Sequence, residues 1–171
     1  MQPHTWLPLG VPSPREIGHS VHVFREARLG DYDHIRRLYA QLNPDDAIPD
    51  TPSAKSMYEH ILESPGLQLF VLELDGDVVG TTYLNTIPNL SRSLAPYALI
   101  ENVVVEETLR GTGLGKQIME RTVQAAWSAG CYKAALMTGS RNPATHAFYR
   151  ACGFSPDDKS AYVIRPLPAR A

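Results

Sequence analysis

Three glycines, Gly111, Gly113 and Gly115, occur at alternate positions between a β-branched run and an amphipathic segment. The valines at 103–105 predict the end of a buried strand, and residues 114–129 predict a helix that begins within the glycine turn. Glycine lets a backbone bend tightly and come close to a ligand. The free amides and the dipole at a helix N-terminus attract anions. The segment is therefore suited to hold a phosphate group.

The spacing of this segment excludes two other phosphate loops. A Walker loop places its glycines further apart and follows its lysine with Ser or Thr, whereas Gln117 follows Lys116 here. The dinucleotide fingerprint requires a third glycine at the position that Lys116 occupies. Written as Arg-x-x-Gly-x-Gly, residues 110–115 resemble the acyl-CoA pyrophosphate loop of the GNAT acetyltransferases.

A second motif lies further along the chain. It begins at Asn142, contains Phe148-Tyr149 and ends at Gly153-Phe154. It resembles Asn-x-x-x-x-x-Phe-Tyr-x-x-x-Gly-Phe, the other half of the GNAT signature. The two motifs occur in the family's order and at the expected distance. With a resemblance that covers residues 23–165, the chain is identified as a member of that family.

Hydrophobic patterning predicts the element order β-α-α-β-β-β-α-β-α-β. Strands are predicted at 21–27, 68–74, 78–87, 98–105, 132–138 and 161–164, and helices at 35–42, 53–64, 114–129 and 144–151. The resemblance implies an α/β (α+β) GNAT fold, with a mixed, mostly antiparallel sheet splayed between strands 4 and 5. Residues 1–20, which contain four prolines, predict a loosely ordered extension. Residues 21–171 then form a single acetyltransferase domain.

The composition is that of an ordinary globular protein, with 171 residues, 43% hydrophobic and 20% charged. A net charge of −2 gives no general attraction to nucleic acid or to an anionic membrane. No apolar run reaches the roughly 20 residues of a membrane span, and no secretory signal is evident. Cys131 and Cys152 are interpreted as reduced thiols, and the six histidines lack the spacing of a metal site. A cytoplasmic location is therefore expected.

The resemblance implies acetyl-CoA as the cosubstrate, held by the strand, the glycine loop and the second motif. The positions it assigns to the acyl-CoA are Val103, Val104, Val105, Arg110, Gly111, Thr112, Gly113, Leu114, Gly115, Lys116, Asn142 and Tyr149. Some of these positions have a structural alternative: the valines could simply form core, Arg110 could be solvated, and Asn142 could cap a helix. Lys116 is expected to act through its amide rather than its ammonium group.

Aminolysis of a thioester requires a neutral amine, a stabilised oxyanion and a proton for the departing thiolate. A backbone amide of strand 4 is the candidate for the oxyanion. Tyr149 is the candidate acid, with packing of its ring as the alternative. Glu101, a carboxylate in an apolar strand, is the candidate base, with a solvated or ion-paired glutamate as the alternative. His146 is expected to be exposed rather than catalytic.

One subgroup of the family is especially similar. Residues 100–105 and 130–133, with Cys152-Gly153-Phe154, look like the glucosamine-6-phosphate N-acetyltransferases. That similarity implies an amino-sugar phosphate acceptor and a possible homodimer. This chain has Asn102 where the subgroup has Asp, and Met137 where the subgroup has an acceptor-site Asp. The acceptor therefore stays open.

The function predicted from these patterns is transfer of an acetyl group from acetyl-CoA to a primary amine of a small molecule, by direct attack in a ternary complex. A protein or peptide N-acetyltransferase and a non-catalytic acyl-CoA-binding regulatory module are the alternatives. The acceptor pocket is expected between the two early helices, their joining segment 43–51 and the loop 88–96. Arg92 in that loop could meet an anionic acceptor, but it is expected to be a surface residue.

Overall fold

The structure is a computed structural model that describes residues 22–166, so the predicted extension at residues 1–20 lies outside the described part. The elements run in the order β1 (His22–Glu26), α1 (Tyr32–Leu42), α2 (Pro52–Glu63), β2 (Leu67–Leu74), β3 (Asp77–Ile87), β4 (Tyr97–Val105), α3 (Leu114–Ser128), β5 (Ala134–Leu136) and α4 (Pro143–Ala151). Short 3₁₀ turns precede α1 and follow β4. Within residues 22–166, every helix is too short or too polar to span a membrane.

The strands form a single sheet in sequence order, β1 to β5. Neighbouring strands are antiparallel except β4 and β5, which are parallel. This parallel pairing joins only Ala98–Ile100 to Ala134–Leu136, although β4 continues to Val105. The sheet therefore opens between strands 4 and 5, and the predicted mixed, mostly antiparallel fold is confirmed.

Each face of the sheet is covered by helices that bury one apolar side. On the first face, α1 buries Ile35 and Leu38, and α2 contributes Tyr58. On the opposite face, α3 buries Ile118 and Met119. Residues at helical spacing produce these stripes, and burying a large aliphatic side chain contributes about 1.5–3 kcal/mol. β4 contributes buried residues to the apolar cores on both faces of the sheet, so packing on both sides fixes its position.

The chain after α4 does not follow the prediction. The prediction of a strand at 161–164 is wrong, because residues 155–166 contain no strand. Tyr162 and Ile164 are 95% and 96% exposed. Alternating residues form a stable strand only when an edge pairs with them and one face is buried. The neighbouring β5 has three residues, fewer than the predicted 132–138, and offers little edge.

A charged cluster fixes the start of α1 against β1 and β2. Arg25 donates to both carboxylate oxygens of Asp31, at 2.7 and 2.9 Å, and to Glu73 at 2.9 Å. The backbone N–H of Arg28 also donates to Asp31 at 2.7 Å. The hydrogen bonds from Arg25 are the largest cause of a lowered pKa of the Asp31 carboxyl, against the opposing effect of burial.

We expect Asp31→Asn to reduce the free energy of unfolding at neutral pH by about 2–3 kcal/mol, because it removes charge-assisted hydrogen bonds in a partly buried site. The folded-state pKa of Asp31 lies below the unfolded value of about 3.9, so this stability is present above that pH and is lost as the pH falls. Urea unfolding should therefore show the difference shrinking in acid. Asp33→Asn, at an exposed position, is the control and should change stability by under about 0.5 kcal/mol.

Candidate active site

The exit of β4 is held by a network of side chains that no spacing in the sequence indicates. Glu106 follows β4 and accepts a hydrogen bond from the Glu107 amide at 3.1 Å. From α1, Gln41 donates to Glu106 at 2.8 Å and accepts from the Glu107 amide at 2.9 Å. Arg37 of the same helix forms an ion pair with Glu106. The backbone that leaves the sheet is thus tied to α1 before the glycine loop begins.

The glycine loop is a tightly turned segment between β4 and α3. Gly111 and Gly113 have φ angles of 81° and 94°, a region that disfavours side chains with a Cβ. The Arg110 Nε donates to the carbonyl of Val105 at 3.2 Å, and the Thr112 hydroxyl donates to the Leu109 carbonyl at 2.7 Å. These bonds curl the loop back onto the end of β4, so it lies beside the opening in the sheet.

The first turn of α3 presents backbone donors. The hydrogen bond from the Gln117 amide to the Gly113 carbonyl, at 3.0 Å, begins the helix. The N-cap residue, Gly113, has no side chain that could accept from the amides of residues 114–116. The amides of residues 114–116 are therefore available to an anion. The Lys116 ammonium points to Glu120 at 3.6 Å on an exposed helix face. The backbone, rather than the lysine charge, makes this end of α3 suitable for phosphate.

Gly115 has a second, structural reason to be glycine. A Cβ at this position would lie 3.2 Å from the ring of Phe148 in α4. The absence of a side chain thus allows α3 and α4 to approach each other. This contact sets the distance between the glycine loop and the second motif, and it is a packing role that the loop pattern does not reveal.

β4 is interrupted by a bulge at its centre. Thr81 pairs with Val104 and Tyr83 pairs with Glu101, so one residue of β3 lies opposite two of β4. Asn102 takes a φ of 51°, which asparagine tolerates better than most residues. A bulge leaves its extra residue out of the ladder and is frequent beside active sites. The regular ladder of hydrogen bonds between β3 and β4 is therefore interrupted at Asn102.

Glu101 is the first residue of β4 beyond its pairing with β5, and Tyr149 lies in α4, which follows β5 in the chain. Tyr149 of α4 is half-buried and packs against Phe148 and Phe154, with ring centroids 5.2 and 6.4 Å away. Burial is the main cause that raises the pKa of Tyr149, with smaller contributions from Cys152 and from the charge of Glu101. Burial also raises the pKa of the Glu101 carboxyl. The two groups are close enough to interact electrostatically.

The second motif also has local structural roles. Asn142 is the N-cap of α4, and its side-chain oxygen accepts from the Ala144 amide at 2.9 Å. This was the structural alternative for that residue, and it leaves the side-chain nitrogen outside the cap. The expectation of an exposed His146 is wrong: the ring is partly buried because its Nε2 bonds to the Ser140 carbonyl at 2.8 Å.

A cavity of about 230 Å³ lies on the other face of β4, between the sheet and the helices α1 and α2. Ile48, from the joining segment 43–51, lines it, whereas the loop 88–96 does not. Asn102 forms part of its wall, so the cavity reaches the bulge in β4. In the expected pocket loop, Arg92 is exposed and lies over the ring of Tyr132, at 5.8 Å from its centroid.

The chain is similar to a family model and to several curated proteins. The family model described as "Acetyltransferase (GNAT) family" matches residues 32–154. Glucosamine 6-phosphate N-acetyltransferase of Trypanosoma brucei brucei is 32% identical over 87 residues, 51% of this chain and 57% of the relative. Glucosamine 6-phosphate N-acetyltransferase 1 of Oryza sativa subsp. japonica is 40% identical over 55 residues, 32% of each chain. The chain thus matches less than two thirds of the length of these curated relatives.

A solved structure extends the likeness to nearly the whole chain. A protein of Agrobacterium tumefaciens str. C58, itself provisionally assigned as an acetyltransferase, is 41% identical with a TM-score of 0.80. The match covers 84% of this chain and 99% of that one. Since the family model also spans both motifs and the strand between the two cores, the chain belongs to the GNAT family of acetyltransferases.

Proposed function

We propose that the protein is an acetyl-CoA-dependent N-acetyltransferase, which moves an acetyl group to a primary amine of a small molecule by direct attack in a ternary complex. The observation that carries this proposal is the opening between β4 and β5. Glu101 is the first β4 residue beyond the β4–β5 pairing, Tyr149 lies in α4 after β5, and the free amides of α3 follow the end of β4. A phosphate-bearing thioester and an amine can meet only where such an opening gives both of them access.

The residues present fit acetyl-CoA. The amides of residues 114–116 are suited to the pyrophosphate, and Arg110 adds a cation to the same loop. The backbone of Val103, Val104 and Val105 borders the opening, where β5 no longer pairs with β4. The side-chain nitrogen of Asn142 is available from the opposite side. Acetyl-CoA supplies the activated acetyl group, as a thioester.

Side chains and backbone of the protein then transfer protons and stabilise the negative charge that develops during the reaction. Glu101 accepts the proton of the ammonium, directly or through water, which leaves a nucleophilic amine. A backbone amide at the bulge donates to the carbonyl oxygen as negative charge develops there. The new bond joins the amine nitrogen to the acetyl carbon, the carbon–sulfur bond breaks, and the Tyr149 hydroxyl gives its proton to the sulfur. The nitrogen then loses its second proton, which passes through water to the Tyr149 phenolate and restores the hydroxyl. A raised pKa keeps that phenol protonated at neutral pH.

Replacement of Glu101 by Gln should lower the acetylation rate with cofactor affinity nearly intact. Because burial raises the pKa of Glu101, the wild-type carboxylate becomes an effective base only above that raised value. The loss should be largest between this pKa and that of the amine, about 10, and should shrink as the free amine becomes abundant. General base catalysis contributes about 10²–10⁴-fold, so a loss in this range is expected in a pH–rate profile. An equal rate across the whole range would remove Glu101 from the mechanism.

The proposed function is tested by an acceptor screen with acetyl-CoA that follows free thiol and identifies the acetylated product. The panel should contain amino-sugar phosphates, amino acids, polyamines, arylalkylamines and peptides. Acetylation of a small amine supports the proposal. Acetylation of peptides alone would favour a protein acetyltransferase, and acetyl-CoA binding without turnover of any amine would favour a regulatory module.

Two further parts of this proposal rest on the family and on composition. Assembly as a homodimer is supported by similarity to the glucosamine-6-phosphate N-acetyltransferase subgroup. A cytoplasmic location is supported by Cys131 and Cys152, which are both free thiols. Light scattering and cell fractionation would test these two points.

A further inference from the structure

The cavity between α1, α2 and the sheet has aromatic and aliphatic walls. Four tyrosines contribute to its lining: Tyr32, Tyr39, Tyr58 and Tyr83. An apolar cavity of about 150 Å³ is large enough to hold benzene. At about 230 Å³, this cavity has room for an aromatic ring that carries a short chain.

The hydroxyl groups of two of these tyrosines donate hydrogen bonds within the protein. Tyr32 donates to the carbonyl of Pro49 at 3.3 Å, and Tyr58 donates to the carbonyl of Arg28 at 2.7 Å. Burial is the main cause that raises the pKa of Tyr39 to about 12, with a smaller opposing effect from Asn102. Polar groups that already have hydrogen-bond partners gain little from a sugar hydroxyl. The cavity therefore offers a ligand mainly apolar contact with the aromatic rings.

The charges at the mouth of the cavity neutralise each other. Arg36 lines the cavity, and it pairs with Asp33 at 3.1 Å and donates to the Ile48 carbonyl at 3.2 Å. Lys55 pairs with Asp50 at 3.0 Å, and this aspartate lies 3.9 Å from Arg36. Two cations therefore face two carboxylates. A phosphate would have to compete with both, whereas an uncharged body would not.

The cavity also leads to the proposed base. Tyr83 and Asn102 form its wall at the sheet, and Tyr83 lies directly opposite Glu101 in the β3–β4 pairing. Directly paired residues of an antiparallel ladder share one face, so Glu101 lies on the face of the sheet that borders the cavity, next in sequence to its wall residue Asn102. An amine whose body fills the cavity thus brings its nitrogen to Glu101 and to the bulge in β4.

We propose that the acceptor is a primary amine on an uncharged aromatic or aliphatic body, of about the size of an arylethylamine, and that this body occupies the tyrosine-lined cavity. The proposal rests on the proposed function and names the substrate class of the same site. It differs from the substrate in the names of the curated relatives, because glucosamine 6-phosphate carries a phosphate and several hydroxyls.

Binding and turnover of two probes test this substrate class. Calorimetry with the protein alone should show 2-phenylethylamine binding at least about tenfold more tightly than glucosamine 6-phosphate, a difference of about 1.4 kcal/mol. In the presence of acetyl-CoA, its KM should be lower by a similar factor. Tighter binding or a lower KM for glucosamine 6-phosphate or for a polyamine would overturn the inference and leave the proposed function standing. Absence of acetylation with every amine would overturn both.

Variants of α2 locate the binding site. Ala54 lines the cavity, so Ala54→Leu should raise the KM for 2-phenylethylamine about tenfold more than it raises the KM for methylamine, which does not need the space. Ser56→Leu, at an exposed position on the same helix, is the matched control and should change neither value. Met57 lines the cavity but is 59% exposed, so Met57→Lys tests the same wall without disturbing the core. An unchanged KM in both Ala54→Leu and Met57→Lys would place the acceptor elsewhere.

Discussion

Tyr149→Phe is expected to lower kcat by about 10²–10⁴-fold, the range that general acid catalysis contributes. The substitution keeps the ring contacts with Phe148 and Phe154 and removes only the hydroxyl. Because the folded-state pKa of Tyr149 is raised, the wild-type acid stays protonated throughout the neutral range. Its contribution should therefore be present up to alkaline pH and should decline only as the phenol ionises. Steady-state turnover of acetyl-CoA with a saturating amine measures this loss.

Two controls separate this role from packing. Tyr132→Phe removes a hydroxyl from a 41% exposed ring away from the opening and should leave kcat unchanged. A donor with a more acidic thiol should recover part of the lost rate in Tyr149→Phe, since a better leaving group needs less protonation. Normal turnover of acetyl-CoA by Tyr149→Phe would show that another group supplies the proton, and an unfolded variant would assign Tyr149 to packing.

Gly113→Val is expected to weaken acetyl-CoA binding by about 100-fold or more. A β-branched residue is strongly disfavoured at a φ of 94°, so the first turn of α3 must rearrange. Loss of two charge-assisted hydrogen bonds at about 1.5–3 kcal/mol each corresponds to at least that factor. Lys116→Ala should have a much smaller effect, because its ammonium lies beside Glu120 on an exposed surface. Calorimetric titration with acetyl-CoA compares the two.

Gly76→Val is the matched control for this substitution. Gly76 has a φ of 95° in the β2–β3 turn, and it has open space around it, as Gly113 does. The backbone strain is therefore the same, but no role in binding is proposed for that turn. If Gly76→Val reduced the affinity as much as Gly113→Val, the effect would be one of general stability. Equal losses in Gly113→Val and Lys116→Ala would make the lysine charge a main contact.

The sequence was sufficient for the parts of the fold that depend on local patterns. Helical spacing located α3 to within one residue and the end of α1, although α1 begins three residues before the predicted start. The Asp75-Gly76-Asp77 turn located the β2–β3 hairpin. The strand at 161–164 failed because alternation indicates only that a strand could form. Whether it does form depends on the edge of β5, which is set by tertiary packing.

The sequence predicts the parts of the site that one continuous segment forms. It does not predict the contacts that are made between segments far apart in the chain. The glycine loop and α3 are contiguous, so their geometry follows from local rules. The network from Arg37 and Gln41 to Glu106 joins positions more than 60 residues apart and has no sequence signal. Asn102 in a run of β-branched residues was a usable signal for the bulge, since asparagine tolerates a positive φ. The tyrosines of the cavity come from three separate elements, so no local pattern in the sequence brings them together.

The fate of a labelled acetyl group tests the central claim most directly. The protein is mixed with acetyl-CoA that carries the label on its acetyl carbon, first alone and then with an amine that the acceptor screen identifies. We expect the label to stay on the thioester until the amine is added, and then to move to the amine with one thiol released for each acetyl group. Label on the protein before addition of the amine, or thiol release without an acetylated amine, would contradict direct transfer.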